Sequence, residues 1–478
     1  MIALWILLGL LALFLAVVLI RTAMFKPLPE PKADTAPVEY DREKAIRDLQ
    51  ALVRCRTVSD KDPAKEDEGE FEKLVNLLPE LFPNVYKTCT LYRPDRRALL
   101  FHWKGREEGD PTVLMAHYDV VSVVEENWKK PAFEGIIEDG VLWGRGTLDT
   151  KGTFNGVLQA AETLIAKGFV PQKDIYLAFG GDEEINGNGA PATVQWFEER
   201  GIRPAMVVDE GGAVVENVFP GVKRACAVVG TAEKGLMNVS FEVNGQGGHA
   251  SAPPRHTAVG MLSAACVKLE NNPAPRRFTK PIGEMFNVLG RHSTFIYRMI
   301  FANLWCFMPL LDMICKKSGG ELNALMRTTC AFTTMEGSKG LNVMPPYARM
   351  TANMRIISGE TVESTLEYVR KTVNDPHVEI KCMEGCNPSA ISITDCAQWK
   401  QLEEAIAGTW EGALVSPYLM LACSDSRHYG RISDHVYRFS AMALSKEERA
   451  TIHGNDERIP LETIGKTVEF YLRLIQKR

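Results

Sequence analysis

The chain of 478 residues is 45% hydrophobic and 24% charged, which is typical of a folded protein with a large core and excludes a disordered or collagen-like chain. Its 55 basic and 60 acidic residues give a formal net charge of −5. No basic tract with interleaved aromatic residues is present, so nucleic-acid binding is not predicted. The eleven cysteines form no CxxC pair, which argues against a zinc ribbon or a disulfide framework.

The N-terminal segment is the first predicted element. Residues 2–20 carry no charge, and as a helix they would span roughly 28 Å, close to the hydrocarbon thickness of a bilayer. We predict a transmembrane anchor over residues 1–24; the alternative is a cleaved signal peptide, but a basic start and a small-residue cleavage site are missing. The basic residues that follow predict that the rest of the chain is cytoplasmic: Arg21, Lys26 and Lys32. Residues 25–40 hold four prolines and are predicted to be a stiff linker.

Apolar runs and amphipathic helices alternate after residue 40. Helical spacing of apolar residues predicts helices at 41–54, 66–82 and 152–167, and short apolar runs predict buried strands at 112–116, 175–179 and 205–208. This alternation indicates a mixed, largely parallel α/β sheet flanked by helices. Because ligands bind beyond the carboxyl ends of such strands, the residues that follow each strand matter most.

A second domain is predicted from residue 231, where an alternating strand at 237–243 leads into a glycine-rich turn and a helix near 258–269. We predict that the large domain is split around it, with parts at 41–230 and 386–478, and that the second domain covers 231–385.

An apolar insertion at about 272–330 interrupts the second domain. Its most apolar part, 294–314, contains three polar residues and a proline that argue against a second membrane span: Arg298, Asn303, Asp312 and Pro309. We predict a helix buried in the second domain; the alternative is an apolar surface that touches lipid or a long acyl chain.

Acidic side chains follow each predicted strand of the large domain. The groups are His117 with Asp119, then Asp182, Glu183 and Glu184, then Asp209 with Glu210, and Asp149 precedes the helix at 152–167. Each group alone is more often a capped or solvated turn. Carboxylates that converge on one sheet edge repel one another unless cations neutralise them. Histidine nitrogen with carboxylate oxygen suits zinc, or less often manganese or cobalt, so the pattern predicts a two-metal site.

Glu183 and Glu184 are adjacent, and two metal ions need only one further ligand from this pair. The other carboxylate is then free to act as a general base on an activated water. Spacing alone does not decide which residue has which role.

Four motifs together resemble the M20 family of dizinc metallopeptidases, and the similarity extends from about residue 41 to the C-terminus: residues 115–121, 144–152, 180–184 and 247–253. Within this family the chain, with its N-terminal hydrophobic segment, is most similar to the carboxypeptidase S and N-fatty-acyl amino acid synthase/hydrolase group. The resemblance implies a zinc-peptidase catalytic domain with an inserted α+β lid domain of ferredoxin-like fold.

The resemblance also implies a role for each matching residue. The implied metal ligands are His117, Glu184, Asp209, His453 and the bridging Asp149. The implied catalytic residues are the general base Glu183, Asp119 as the partner of His117, and His249, which would stabilise the tetrahedral intermediate. Asn342 and Arg355 would reach the substrate, and Arg427 and His428 are weaker candidates for the cleft.

The predicted function is a membrane-anchored hydrolase with two zinc ions that cleaves an amide bond next to a free carboxylate, in a C-terminal peptide bond or an N-acyl amino acid. One alternative is a non-catalytic binding protein on the same fold, which would have no need of Glu183. A phosphate-handling enzyme is a less favoured alternative, since no GxxxxGK[ST] pattern is present. Members of the carboxypeptidase S and N-fatty-acyl amino acid synthase/hydrolase group work in a vacuole or outside the cell, whereas the charge bias predicts a cytoplasmic catalytic part. The sequence therefore leaves open which side of the membrane the catalytic part faces. It also leaves open whether the chain forms a homodimer.

Overall fold

The computed structural model describes residues 1–30, 33–217 and 219–477, so Pro31 and Lys32 of the predicted linker lie outside the described residues. The helices are α1 (Ile2–Met24), α2 (Arg42–Val53), α3 (Glu68–Leu81), α4 (Pro83–Thr88), α5 (Lys151–Ala166), α6 (Gly189–Glu199), α7 (Ala258–Asn271), α8 (Lys280–His292), α9 (Phe295–Ala302), α10 (Leu304–Ser318), α11 (Gly320–Met326), α12 (Val362–Val373), α13 (Ala397–Thr409), α14 (Lys446–Arg449) and α15 (Leu461–Gln476). The strands are β1 (Thr90–Tyr92), β2 (Leu99–Trp103), β3 (Thr112–His117), β4 (Ile136–Glu138), β5 (Val141–Trp143), β6 (Ile175–Gly180), β7 (Met206–Val215), β8 (Cys226–Glu233), β9 (Gly235–Asn244), β10 (Gly248–His249), β11 (Thr329–Glu336), β12 (Val343–Met344), β13 (Tyr347–Ile356), β14 (Glu379–Cys386), β15 (Leu414–Met420), β16 (Val436–Ala443) and β17 (Arg458–Pro460). Single 3-10 turns span Pro63–Lys65, Glu125–Asn127, Glu183–Ile185 and Asp425–Arg431.

The large domain is built on a sheet that, within the described residues, has eight strands in the order β1-β2-β6-β3-β7-β16-β8-β15. The central strands β6, β3, β7 and β16 run parallel. Every residue of β3 and β6 is buried, because helices cover both faces, as is usual for parallel sheets. The predicted largely parallel α/β sheet is confirmed.

Helices α5 and α15 pack together on one face of this sheet. The contact needs Gly156, because a Cβ at that position would lie 2.5 Å from Thr467 Cγ2. On the other face, Tyr176, Phe197 and Tyr429 belong to a separate buried cluster. Because β15, β16 and α15 all follow the inserted domain, the C-terminal part of the chain completes the large domain.

The inserted domain has a four-stranded antiparallel sheet in the order β11-β13-β9-β14. Helices α7 and α12 pack on it around Phe241, Leu262, Met350 and Val369, so this domain has a core of its own. The strand order and the two covering helices are those of a ferredoxin-like fold. Since β8 continues in the large sheet as far as Glu233, the small sheet begins at Gly235, slightly later than the predicted boundary.

The apolar insertion folds as α8 to α11, and the predicted burial of its central helix is wrong. Of the described residues in α9 and α10, few are buried: Phe301, Ala302, Asp312 and Cys315. The physical reason is an inverted pattern, in which the polar interruptions face inward and the apolar side chains face outward. Asn303, at the 110° bend between the two helices, is fully buried, and Asp312 pairs with the buried Arg327.

Helix α1 is long and apolar enough to cross a membrane, with a mean hydropathy of 3.0 over its best 18-residue window. Val18 and Thr22 near its C-terminal end are buried, whereas most of its surface is exposed. Such a helix is either a membrane anchor or a signal sequence.

Candidate metal centre and active site

The carboxyl ends of three neighbouring strands deliver the chemistry-bearing side chains to one edge of the large sheet. His117 ends β3, the 3-10 turn Glu183–Ile185 follows β6, and Glu210 lies within β7. Asp149 lies just before α5, and His453 comes from the loop between α14 and β17. Residues more than 300 positions apart therefore meet because the parallel strands end at the same edge.

Asp149 lies between the two histidines of the cluster. Its Oδ1 is 3.0 Å from His117 Nε2, and its Oδ2 is 2.9 Å from His453 Nε2. Each histidine faces a second carboxylate: Glu210 Oε1 is 3.3 Å from His117 Nε2, and Glu184 Oε2 is 3.0 Å from His453 Nε2. The cluster thus has two halves that share one carboxylate.

Asp119 orients His117 and the turn that carries the two glutamates. Its carbonyl oxygen and its Oδ1 lie 3.0 Å and 3.3 Å from His117 Nδ1, which leaves Nε2 for the centre of the cluster. The same carboxylate accepts hydrogen bonds from the backbone N–H groups of Glu183 and Glu184, at 3.2 Å and 3.1 Å. A hydrogen bond of 2.7 Å from Ser59 Oγ holds Asp119 itself.

Glu183 has the setting of a proton acceptor. Its carboxylate lies within 4.8 Å of ligand atoms of His117 and Glu210. Burial raises the pKa of Glu183 well above its ordinary value, and the carboxylates of Glu210 and Asp425 raise it further, against the effect of His117. A carboxylate with a raised pKa is suited to general acid–base chemistry near neutral pH.

The cluster concentrates negative charge that calls for a counter-charge. Burial, with the Asp149 carboxylate, raises the pKa of Glu210 to about 8, and hydrogen bonds to Asp149 and Glu184 raise the pKa of His453 to about 10. The two histidines in turn lower the pKa of Asp149, although its burial acts in the opposite direction. Cations bound between these groups would replace the protons.

The donor set fits two divalent cations. His117, Asp149 and Glu184 could hold a metal ion, as could His117, Glu183 and Glu210, since the ligand atoms in each group lie within 4.8 Å of one another. Imidazole nitrogen and carboxylate oxygen without thiolate suit zinc, and also manganese or cobalt.

Asp209, a predicted metal ligand, lies outside this cluster, and its metal-binding role stays a prediction. The side chain of Asp209 is buried, and its Oδ2 accepts a hydrogen bond of 3.0 Å from the N–H of Ser426. Neighbouring residues of a strand point to opposite faces, so only one of Asp209 and Glu210 can face the histidines, and it is Glu210. Either acid satisfied the sequence pattern, and nothing in the run of residues fixed which face of the strand is which.

Two buried glutamates, which the sequence analysis did not identify, support the site. Glu457 Oε1 accepts hydrogen bonds from the N–H groups of Leu148 and Asp149, at 2.8 Å and 3.2 Å, and its Oε2 pairs with Arg145 Nη1 at 2.7 Å. Glu233 pairs with Arg438 at 2.5 Å, and both side chains are buried. A signal for Glu457 exists in the sequence, because it lies in the polar run from His453 to Arg458.

The residues predicted to reach the substrate lie in two places. His249 ends β10 and Asn342 directly precedes β12 in a two-stranded ribbon, and the N–H of Ala250 donates to the Asn342 carbonyl at 2.9 Å. This ribbon is exposed, and His249 and Asn342 are absent from the described residues that line the cavity at the metal centre. Arg355 is half-buried, with Nη1 3.7 Å from the Sγ of Cys423, a residue that lines that cavity.

Arg427 and His428 lie next to each other in the 3-10 turn that follows β15. Arg427 Nε donates to His428 Nε2 at 3.2 Å, and Arg427 Nη2 donates to Asn186 Oδ1 at 2.9 Å. Burial, with the charge of Arg427, lowers the pKa of His428 to about 4, so this histidine is neutral at physiological pH.

A cavity of about 370 Å³ opens beside the acidic cluster, and much of its wall is apolar: Val228, Met420, Leu444 and Ile452. A second cavity of about 600 Å³ adjoins it, with the apolar lining residues Phe219, Met285, Leu289 and Leu325. Both cavities are lined by Glu321 and Tyr418, and the Tyr418 hydroxyl donates to Glu321 Oε1 at 3.0 Å. The space beside the metal centre therefore extends from the acidic cluster toward the apolar insertion.

An acidic and histidine cluster of this kind, at the carboxyl edge of a parallel sheet and with a free glutamate beside it, defines a metal-dependent hydrolase. A profile of Peptidase family M20/M25/M40 matches residues 113–477, and the chain belongs to this family.

Its relatives cover nearly the whole chain. It is 35% identical to the N-fatty-acyl-amino acid synthase/hydrolase PM20D1 of Xenopus tropicalis, over 98% of this chain and 93% of that protein. It is 34% identical to the probable carboxypeptidase S-like 2 of Dictyostelium discoideum, over 94% of this chain and 89% of that protein. The crystal structure of the M20 family metallo-carboxypeptidase Sso-CP2 from Sulfolobus solfataricus has the same fold, with a TM-score of 0.68 at 16% identity, covering 90% of this chain and 98% of that one.

Proposed function

We propose that this chain is a two-metal hydrolase that cleaves an amide bond next to a free carboxylate, with N-acyl amino acids as the substrate class that fits best and C-terminal peptide bonds as the alternative. The observation that carries the proposal is the placement of Asp149 between His117 and His453, with Glu183 beside them and free to exchange a proton.

The residues divide into ligands and a proton carrier. We assign His117 and Glu210 to one ion, Glu184 and His453 to the other, and Asp149 to both. When bound, two zinc ions supply Lewis-acid activation of the attacking water and of the amide carbonyl. Glu183 accepts the proton of that water and delivers it to the leaving amine, for which its raised pKa is suited.

The free carboxylate of the substrate is assigned to Arg355. Its guanidinium reaches Cys423 at the cavity wall, and a planar fork of donors matches a carboxylate. His249 and Asn342 stay predictions, because the exposed ribbon that carries them would reach the substrate only after a closure of the small domain or from a second copy of the chain.

The acyl group is assigned to the apolar side of the cavity. Val228, Met420, Leu444 and Ile452 line the space next to the cluster, and the adjoining cavity continues it with further apolar side chains. A short dipeptide would leave this wall uncovered, whereas each buried methylene of an acyl chain contributes roughly 0.8 kcal/mol. The name of the Xenopus tropicalis relative supports the same substrate class.

The test is hydrolysis by purified full-length protein, loaded with zinc, of N-acyl glycines from acetyl to oleoyl and of dipeptides. We expect turnover that grows with acyl length, is lost with a chelator and returns with zinc. The variant Glu183→Gln should keep its zinc and lose at least about 100-fold in kcat. Undiminished turnover by Glu183→Gln would contradict the assigned base, and a preference for dipeptides would contradict the substrate class.

We further propose that α1 is retained as a single-pass membrane anchor. Its C-terminal end packs on the folded part of the chain, which a segment destined for removal has no reason to do.

A further inference from the structure

The C-terminal half of α1 docks on the bend between α9 and α10 through polar contacts. Asn303 Nδ2 donates to the Val18 carbonyl at 3.1 Å and to Thr22 Oγ1 at 3.2 Å. Arg21 Nη2 donates to the Ala302 carbonyl at 3.2 Å. The rings of Phe14 and Trp305 meet edge to face at 5.8 Å between centroids. The interface is therefore specific, and the buried Asn303 amide, which also donates to the Met299 carbonyl at 2.9 Å, is shared between the two segments.

Both helices of the bent pair present apolar side chains to the outside. The exposed residues are Phe295, Ile296 and Tyr297 on α9 and Trp305, Leu310, Met313 and Ile314 on α10, with exposed fractions between 41% and 65%. An exposed apolar patch of this extent is unusual on a soluble protein surface. Asp312, the one acidic residue of the pair, is turned inward to Arg327.

Helix geometry indicates how this patch would meet a bilayer. With 23 residues, α1 is about 34 Å long, and the eleven residues from Phe14 to Met24 cover about 16 Å of it. The bent pair thus lies beside the half of α1 that is nearer the folded domains. With 8 and 15 residues, α9 and α10 are about 12 Å and 22 Å long, so neither can cross a hydrocarbon core of about 30 Å.

We infer that α9 and α10 form a membrane-docking surface that lies in the lipid leaflet adjacent to the catalytic domain, held in place by α1. The occupant of this surface is phospholipid, because the patch is continuous with a helix whose exposed surface is itself apolar from Ile2 to Ile20. Aromatic and aliphatic side chains facing out, with Lys316 and Lys317 at the end of α10, are the composition of an interfacial helix.

The docking surface also forms part of the wall of the larger cavity. Thr294 and Tyr297, at the start of α9, line this cavity of about 600 Å³. The N–H of Thr294 donates to the Gly221 carbonyl at 3.0 Å, which holds the start of α9 against the loop on the far side of the cavity. Docked in this way, the protein brings that cavity next to the lipid, whichever reaction the metal centre performs.

The experiment is lipid photolabelling of the full-length protein. Protein reconstituted in phosphatidylcholine vesicles that contain a phosphatidylcholine with a diazirine in one acyl chain is illuminated, digested and mapped by mass spectrometry. We expect adducts in α1 and in residues 295–314, at least about tenfold above those at the exposed Leu341 of the small domain.

A charged variant provides the matched comparison. Ile296→Glu combined with Met313→Glu should lower adducts in residues 295–314 at least about fivefold and leave those in α1 unchanged, because charge is excluded from the hydrocarbon. Leu341→Glu is the control and should change neither. Unchanged thermal unfolding of both variants checks that they are folded.

Two results would overturn the inference. Adducts confined to α1 would show that the bent pair does not touch lipid. Protein–protein cross-links in residues 295–314 in place of lipid adducts would show that a second copy covers this surface.

Discussion

In the proposed two-metal centre, Asp149 would serve both halves, so each ion would depend on its own second carboxylate. For the half that contains His117, that carboxylate is Glu210, whereas the neighbouring Asp209 is bound to the backbone of Ser426. The distinction can be measured, because the two residues differ in what their loss removes.

Glu210→Gln should bind about one zinc ion per chain instead of two and lose activity, since an amide is a poor zinc ligand. Asp209→Asn should keep both ions, because its side chain holds a loop and not a metal. Zinc content after dialysis, measured by inductively coupled plasma mass spectrometry, checks both. Two ions in Glu210→Gln and one in Asp209→Asn would support Asp209 as the metal ligand, as the sequence predicted.

Arg355→Ala should raise KM for N-acyl amino acids by roughly 10- to 100-fold, the effect expected when a charge-assisted hydrogen bond is lost. KM for the corresponding carboxamides should hardly change, because they lack the charge. Arg427→Ala is the comparison, since that guanidinium is already bound to Asn186. An equal increase in KM for the acids and the carboxamides in Arg355→Ala would contradict its proposed role in binding the substrate carboxylate.

The structure brings together several of the residues that the sequence motifs indicated, and their roles stay predictions. His117, Asp149, Glu184 and His453 meet in one cluster, as the motifs indicated. The choice between Asp209 and Glu210 required the register of β7, and register depends on packing against both faces of the sheet, which a run of adjacent acids does not reveal.

At the scale of elements, the loop after β15 is fastened to β8 through the buried carboxylate of Glu233, which also pairs with Arg438 of β16. Glu233 accepts hydrogen bonds from Ser424 Oγ and Ser426 Oγ, at 2.8 Å and 3.2 Å, in addition to its pair with Arg438. The loop held by Glu233 is the one whose Ser426 N–H binds Asp209 of β7, the neighbour of Glu210.

Arg438→Ala should lower the free energy of unfolding by about 3–5 kcal/mol, because it leaves the Glu233 carboxylate buried and unpaired. Arg431→Ala is the matched control, since its pair with Glu198 is exposed and should be worth less than about 1 kcal/mol. Urea unfolding monitored by circular dichroism compares them. Similar losses of unfolding free energy in the two variants would contradict the larger stabilising contribution expected of the buried pair.

The apolar insertion shows where element prediction from sequence fails. Apolar residues in 294–314 outnumber polar ones, so a buried helix was the reasonable expectation. The structure turns the polar minority inward, because Asn303 finds its partners in α1 and Asp312 finds Arg327. Those partners lie far away in sequence or in another segment, and no local pattern could indicate them.

At the scale of the whole molecule, the metal centre links stability to pH. Without metal, Glu210 has a pKa of about 8 against an ordinary 4.5, and His453 about 10 against 6.5. Both groups hold protons in the folded chain that the unfolded chain loses. Their contribution is complete below the ordinary pKa values and disappears as the pH rises through about 8 and about 10.

The chelated protein should therefore become less stable between about pH 5.5 and about pH 8.5, whereas zinc, which displaces these protons, binds more tightly over the same range. The difference in Tm between zinc-loaded and chelated protein should widen with pH. At free zinc 1,000-fold above Kd, the stabilisation is about 4 kcal/mol. Calorimetry at several pH values provides the measurement, and a difference that narrows with pH would contradict the linkage.

The contact between α1 and Asn303 also sets an order in time. Val18 and Asn303 are 285 residues apart, so at about 5–20 residues per second the ribosome takes roughly 15–60 s to make the second after the first. For most of that interval α1 is outside the ribosome while Asn303, which later donates to Val18 and Thr22, has not been made. Its targeting must consequently be decided by α1 itself during translation, and the bent pair can only secure a helix that has already been delivered.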